Sequence, residues 1–357
     1  MILYPVLHIY PDRIEHNAKN LKKLCDSGKI KITGVTKVVS GNIEVAQAML
    51  KAGITSIGDS RIQNIIHMKK NGINAEFIML RIPMKSELEL VVENVDITLV
   101  SELKTVEWLN EIAKEKNKIQ DIVYMVDVGD LREGVWYENA VSEIVSAQKF
   151  SNICLKGIGT NLGCFGGVLP SIENMNILLE IKNEIEEILN RKLEIISGGN
   201  SAALPLIESG KLPEGINHFR LGESIICGTD VTNNRNVPGN RQDTVILEAQ
   251  IIELKEKPSV PVGEIGFDAF GRKPVFEDKG KRLKAILAIG EQDISPDGLI
   301  PLDEKIEVLH SSSDHTIVDL TESDNQYKLG DTIKFKMSYG SLLKAITSKY
   351  VEKKIEK

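Results

Sequence analysis

Ile32-Thr33-Gly34-Val35-Thr36-Lys37-Val38-Val39-Ser40-Gly41-Asn42 runs from a short apolar stretch through a single lysine into a polar break, after which a helical pattern covers 42–52. β-Branched residues favour strands, so the stretch predicts a buried strand that stops where a helix begins, with Lys37 at the junction. A lysine held among apolar neighbours loses its proton more readily than one in water, and its neutral amine can form a Schiff base with an aldehyde. A stem lying along apolar surface with its ammonium in water would account for Lys37 as well, and the rest of the chain must decide.

The same unit recurs along the chain. Strand patterns stand at 54–58, 76–80, 96–100, 122–127, 155–159, 193–197 and 216–221, with helical patterns over 101–115, 137–149, 172–190 and 201–209. Eight strands, each followed by a helix, predict a parallel (β/α)8 TIM-type barrel of the α/β class, with a doubly wound open sheet as the runner-up. After Gly228 the texture changes. Residues 229–243 are rich in Asn, Arg, Gly and Asp, and runs rich in Val and Ile follow at 245–254, 283–288, 307–309, 316–320 and 332–337. These predict a C-terminal, mainly antiparallel β domain with Gly330-Asp331 as a turn, and divide the chain into a barrel over 1–232 and a β domain over 233–357.

Composition narrows the partners. The 357 residues are 42% hydrophobic and 27% charged, enough for a large core. A net charge of −7 with both signs interspersed gives no reason to expect nucleic acid. Cys25, Cys154, Cys164 and Cys227 are scattered without C-x-x-C or zinc-ligand spacing. They read as reduced thiols of a cytoplasmic protein without a metal site. Met1 to Tyr10 carry no basic segment followed by an apolar core, and no apolar run approaches the roughly 20 residues that span a bilayer, so neither leader nor membrane partner is expected.

In a barrel the chemistry belongs at the carboxyl ends of the strands, and phosphate is often held after strands seven and eight. Ser197-Gly198-Gly199-Asn200-Ser201 and Arg220-Leu221-Gly222-Glu223-Ser224 fall at those two places. Glycine lets backbone approach a ligand, and Ser201 and Ser224 add hydroxyl donors. Gly and Ser clusters are usually plain turns, so each loop alone says little. Together with Lys37 after strand one, the pair describes a site for pyridoxal 5′-phosphate (PLP).

These residues carry a resemblance to the alanine racemase-like, fold type III PLP enzymes, and most to their ornithine racemase branch. Ile9-Tyr10-Pro11-Asp12-Arg13-Ile14-Glu15-His16-Asn17 is similar to the family's opening segment, and Val35-Thr36-Lys37 matches its Schiff-base lysine. Val126-Asp127-Val128-Gly129-Asp130-Leu131-Arg132-Glu133-Gly134 resembles the segment whose arginine, here Arg132, reaches the cofactor's phenolic oxygen and the substrate carboxylate. The match implies Ser201, Gly222, Ser224 and Tyr339 at the phosphate and Arg220 against the pyridine nitrogen. It also implies Ser313-Asp314-His315 in a substrate-facing segment, and a homodimer in which one subunit's second domain completes its partner's site. A guanidinium cannot accept the pyridine proton and disfavours protonation nearby, which suits return of a proton to the α-carbon more than transamination.

Three departures shape the reading. The family's catalytic tyrosine corresponds here to Phe267, which has no hydroxyl, so the base opposite Lys37 falls to His315, with Asp268, Asp314 and Glu264 as alternatives. Asn161 stands where a histidine packs on the cofactor ring, and either inherits that role or leaves it unfilled. Met125 replaces a modified lysine of some members, so Arg132 leans on a different acid. The expectation is a PLP-dependent amino acid racemase in which Lys37 and His315 move the α-proton, acting on ornithine or another diamino acid whose distal ammonium meets Glu223, Asp230 or Asp268. The alternatives are an alanine or broad-specificity racemase, and a non-catalytic PLP carrier, against which the residues after Gly228 count. A decarboxylase or metal-assisted aldolase on a related barrel fits less well.

Overall fold

The computed structural model describes residues 3–357; Met1 and Ile2, part of the stretch read for a leader, lie outside the described residues. Contacts divide the chain into two compact units, Pro11–Arg241 and a second made of Gln242–Lys357 with the residues up to Tyr10.

The first unit is the closed barrel. Its strands are, in chain order, Lys31–Val35, Ser56–Asp59, Glu76–Met79, Ile97–Val100, Gln120–Asp127, Ile153–Gly159, Ile195–Ser197 and His218–Leu221. Each pairs in parallel with its neighbours, and the eighth pairs with the first. That ring excludes the open doubly wound sheet. The strands are buried along nearly their whole length because a parallel sheet is covered on both faces. Ile78, Ile97, Leu99, Val123 and Met125 form a buried cluster at its core. The crossover helices are amphipathic: Ile172–Leu189 buries Met175, Leu178, Ile181 and Ile185, and begins at Ser171, whose hydroxyl accepts the Asn174 N–H. The helix expected over 201–209 is broken into a 3₁₀ turn, Ser201–Ala203, and a five-residue helix, Leu204–Glu208, with Pro205 in its first turn. Proline is tolerated there because those N–H groups lack intrahelical partners.

The second unit is a mainly antiparallel sheet in the order Leu299–Pro301, Thr332–Met337, Val245–Pro258, Lys281–Leu287, Thr316–Asp319, Glu307–Ser311. Gly330-Asp331 does form a turn, with Gly330 at φ 93° and the Asp331 N–H bonded to the Lys328 carbonyl. Val6–Ile9 also belongs here, antiparallel to Val245–Pro258 and parallel to Glu352–Ile355. The units therefore part after Arg241 rather than after 232, and the first strand leaves the barrel side. All four residues of Val6–Ile9 are buried, and partners some 240 and 346 positions away leave no local pattern to read.

Candidate active site

The first barrel strand ends at Val35, and Thr36 closes it by donating its hydroxyl to Asp59 Oδ2 at 2.8 Å. Asp59 also accepts the Arg61 N–H and the Asn64 amide, both at 2.9 Å, and burial pushes its carboxyl above the usual range. This buried knot holds the turn Lys37–Val39 that presents Lys37 at the barrel mouth. Lys37 is exposed by accessible surface, yet the protein around its amine lowers its pKa. Burial is the main cause of that lowering, with Arg132 and Arg220 acting in the same direction and Cys164 and Glu133 opposing.

Arg220 comes from the last strand and is buried. One guanidinium nitrogen donates to Ser197 Oγ, the other to the Thr160 carbonyl at 2.8 Å and to Asn161 Oδ1 at 3.4 Å. Burial pushes its pKa down to about 10. Behind it, Ser197 Oγ lies 2.8 Å from His218 Nδ1, His218 Nε2 lies 2.8 Å from Thr33 Oγ1, and Thr33 Oγ1 lies 2.8 Å from Ser56 Oγ. Burial holds His218 down to about 3, so the ring is neutral. One orientation satisfies every member: Ser56 donates to the Ile32 carbonyl, Thr33 to Ser56, His218 Nε2–H to Thr33, Ser197 to Nδ1, and Arg220 to Ser197. The arginine is thus aimed by a polar chain crossing the barrel interior.

The two loops read as a phosphate cradle come together. The Ser201 hydroxyl donates to Ser224 Oγ at 2.9 Å and accepts the Ser224 N–H at 3.1 Å. Gly222 sits against the first strand, where a Cβ would stand 2.9 Å from that of Val35 and 3.2 Å from its carbonyl oxygen, so only glycine keeps the loops this close. Because the following helices are short, hydroxyls and loop amides make the cradle rather than a long helix dipole. This donor set fits PLP: an amine for its aldehyde, paired hydroxyls for its phosphate, and the buried Thr160 Oγ1 without a hydrogen-bond partner among the described residues.

Arg132 projects from the loop after the fifth strand and pairs with Glu133 at 2.6 Å, while Met125 is buried in the barrel core. Asn161, half-buried, accepts from Asn200 at 3.0 Å and donates to Cys164 Sγ at 3.2 Å beside Arg220. In the second unit, Ser313, Asp314 and His315 form one exposed turn between Glu307–Ser311 and Thr316–Asp319, with the Ser313 hydroxyl donating to Asp314 at 2.7 Å. Tyr339 opens the helix Tyr339–Thr347, and Phe267 is 74% exposed in a separate loop.

The acids expected for a distal ammonium already have partners. Glu223 accepts from Thr229 and from the Val231 N–H, Asp230 pairs with Arg235 at 3.0 Å, and Asp268 pairs with Arg272 at 2.8 Å. Sequence reasoning missed Glu133, Asn200, Cys164, Ser197 and His218 as parts of the site. Asn200 sits inside a motif that was read, but nothing in the sequence places Cys164 beside Arg220 or His218 behind Ser197. Among the described residues no three His, Cys, Asp or Glu side chains gather as for a metal ion, and no helix is long and apolar enough to cross a membrane.

Residues 9–229 match the family model described as "Alanine racemase, N-terminal domain". The chain is 48% identical to the lysine racemase of Thermotoga maritima over 355 residues, 99% of each protein. It is 44% identical to the ornithine racemase of Acetoanaerobium sticklandii over 354 residues, covering 99% of this chain and 100% of that one. In fold it is similar to the alanine racemase of Bartonella henselae, solved with covalently bound pyridoxal phosphate, with a TM-score of 0.74 at 17% identity over 99% of this chain and 100% of that one.

Proposed function

The chain belongs to the alanine racemase family, and from that premise we propose that it is a PLP-dependent racemase of a diamino acid, lysine or ornithine. The observation that carries this reading is end-to-end similarity, at 48% and 44% identity, to racemases of those two amino acids. The mouth of the barrel supports it with an amine, a guanidinium and a hydroxyl pair on the elements where such a reaction needs them.

When bound, PLP supplies an aldehyde that captures the substrate's amine and a ring system that draws electrons from the α-carbon. Lys37 is the amine that would hold that aldehyde. Ser201, Ser224 and the backbone at Gly222 would receive the phosphate, with Tyr339 as a further contact. Arg220, locked by Ser197 and the Thr160 carbonyl, would offer the ring nitrogen only donors, and Asn161, which accepts from Arg220, would stand beside the ring. Arg132, steadied by Glu133, binds the substrate carboxylate. Lys37, freed as an amine whose burial keeps it more easily deprotonated, removes or returns the α-proton on one face. His315 serves the other face, supplied by the second unit of a partner copy in a homodimer, with Asp314 and the Ser313 hydroxyl receiving the distal ammonium. Four free thiols, Cys25, Cys154, Cys164 and Cys227, support a cytoplasmic setting.

The test is a substrate screen of the PLP-loaded enzyme by chiral chromatography. L-lysine or L-ornithine should each give the D enantiomer much faster than L-alanine does. Release of amine or aldehyde without inversion, or preference for alanine, would overturn the reading.

A further inference from the structure

Asp130 has no part in the chemistry above, yet it is fully buried two residues from Arg132. Its carboxylate accepts four backbone N–H groups from a distant loop. Oδ1 takes Gly163 at 3.1 Å and Val168 at 3.2 Å; Oδ2 takes Cys164 at 3.1 Å and Phe165 at 2.9 Å. The Asp130 carbonyl accepts a further N–H from Gly166, also at 3.1 Å. Bonds to an ionised acceptor are roughly twice as strong as neutral ones.

The loop has little else to hold it. Phe165 is 74% exposed, and across 161–169 only Leu162 is buried. Gly163 adopts φ 71°, and the Thr232 hydroxyl donates to its carbonyl at 3.3 Å. Such a segment would be mobile unless something pinned its backbone. What it carries matters: Asn161, which accepts from Arg220, and Cys164, whose sulfur accepts from the amides of Asn161 at 3.2 Å and Asn200 at 3.4 Å.

We propose that Asp130 is a positioning residue: its carboxylate ties the 163–168 loop to the Arg132 segment, so that Asn161 and Cys164 stay against Arg220. The consequence for turnover rests on the racemase reading, whereas the tie itself can be measured without it. One anchor then fixes the carboxylate-binding arginine and the flank of the cofactor ring in a common frame, which reaction geometry rewards because small misplacements of positioning groups cost rate steeply.

Hydrogen exchange on the wild-type holoenzyme gives the first arm. The amides of Gly163, Cys164, Phe165 and Val168 should exchange about tenfold or more slowly than that of Gly167. Asp130→Asn keeps the shape but turns an NH₂ toward amide donors. It should speed exchange at those four amides about tenfold, raise Cys164 alkylation by iodoacetamide severalfold, shift the absorption of bound PLP, and lower kcat roughly tenfold with a smaller change in KM. Gly166→Ala, whose Cβ would stand 3.0 Å from the Asp130 carbonyl oxygen, should move the same readouts in the same direction, and decides the matter if Asp130→Asn does not fold. The proposal is overturned if the four wild-type amides exchange as fast as Gly167. It is equally overturned if exchange rises in a variant while Cys164 alkylation, PLP absorption and kcat keep their wild-type values. Exchange and alkylation need no turnover, so a tied loop in a protein that racemises nothing would sink the functional reading alone.

Discussion

The two ends of the barrel are both rich in charge, and they differ in how that charge is balanced. At the amino ends of the strands, Lys22, Lys31 and Lys156 stand with Asp26, Glu76, Asp121 and Glu194 around a cavity of about 480 Å³. Lys156 donates to Glu194 at 3.0 Å and lies 3.7 Å from Asp121, and Lys22 pairs with Asp26 at 2.7 Å. At the carboxyl ends, Arg132 and Arg220 both act on Lys37, and Glu133, which acts on Lys37 and Arg220, is already engaged by Arg132. Three lysines against four carboxylates give that cavity no net call on an anion, whereas clustered cations draw a phosphate or a carboxylate. The sign of the charge, rather than its density, distinguishes the end that carries Lys37.

Lys37→Ala gives the largest expected break at the mouth. It should lower racemisation on the order of 10³-fold or more and abolish the pyridoxyl adduct that borohydride leaves on the wild-type peptide containing Lys37, as read by mass mapping. An adduct on another lysine would move the site elsewhere. In the wild type, capture of PLP should rise with pH as the amine loses its proton, through a midpoint below the ordinary 10.5 because burial lowers Lys37; a midpoint at or above it would contradict a desolvated amine.

His315→Gln tests whether the second unit supplies the other base. Proton exchange in deuterated water should slow roughly 10²-fold from one enantiomer and far less from the other, with PLP still bound. Equal small losses from both would transfer the role to Asp268 or Asp314.

Arg220→Glu should cut racemisation about tenfold and raise the ratio of keto acid to racemised product, because a carboxylate favours a protonated ring nitrogen. An unchanged ratio would mean that Arg220 does not face the ring.

The polar chain behind Arg220 makes a smaller, pH-dependent prediction. His218 is held near 3 in the fold against 6.5 in the unfolded chain, so as pH falls from 6.5 toward 3 the unfolded state gains a proton that the folded state refuses. Stability should fall over that window by up to about 1.4 kcal/mol per pH unit from this group, and His218→Gln should flatten the dependence in urea titrations. Smallest of all, Lys156→Gln at the opposite end should change kcat less than about twofold and stability by no more than about 1 kcal/mol, since exposed pairs contribute little. A large loss of activity there would erase the distinction between the two ends.

The eight barrel strands were legible because each is a local event: an apolar run, a polar break, a helical period. Lys37, Ser201, Gly222 and Ser224 were legible for the same reason, falling at the ends of strands whose order the barrel dictates. The helix expected over 201–209 is instead a 3₁₀ turn and a short helix, because Pro205 has no N–H to carry an α-helix through from Ser201. Val6–Ile9 escaped because a strand's partners are chosen by the sheet rather than by its own residues.

By itself the sequence determined the barrel, the second β unit, and the placing of Lys37 and of the Ser201 and Gly222-Ser224 loops at strand ends, since periodicity and turn chemistry act over a few residues. Only the tertiary structure decided that Glu133 partners Arg132, that Asp130 gathers four amides from 163–168, and that His218 reaches Arg220 through Ser197. Each of the last two joins residues 20 or more positions apart through hydrogen bonds only a few ångströms long, and the first turns on how two adjacent side chains fold back on each other. Such bonds depend on distance and angle between side chains, which no spacing along the chain specifies.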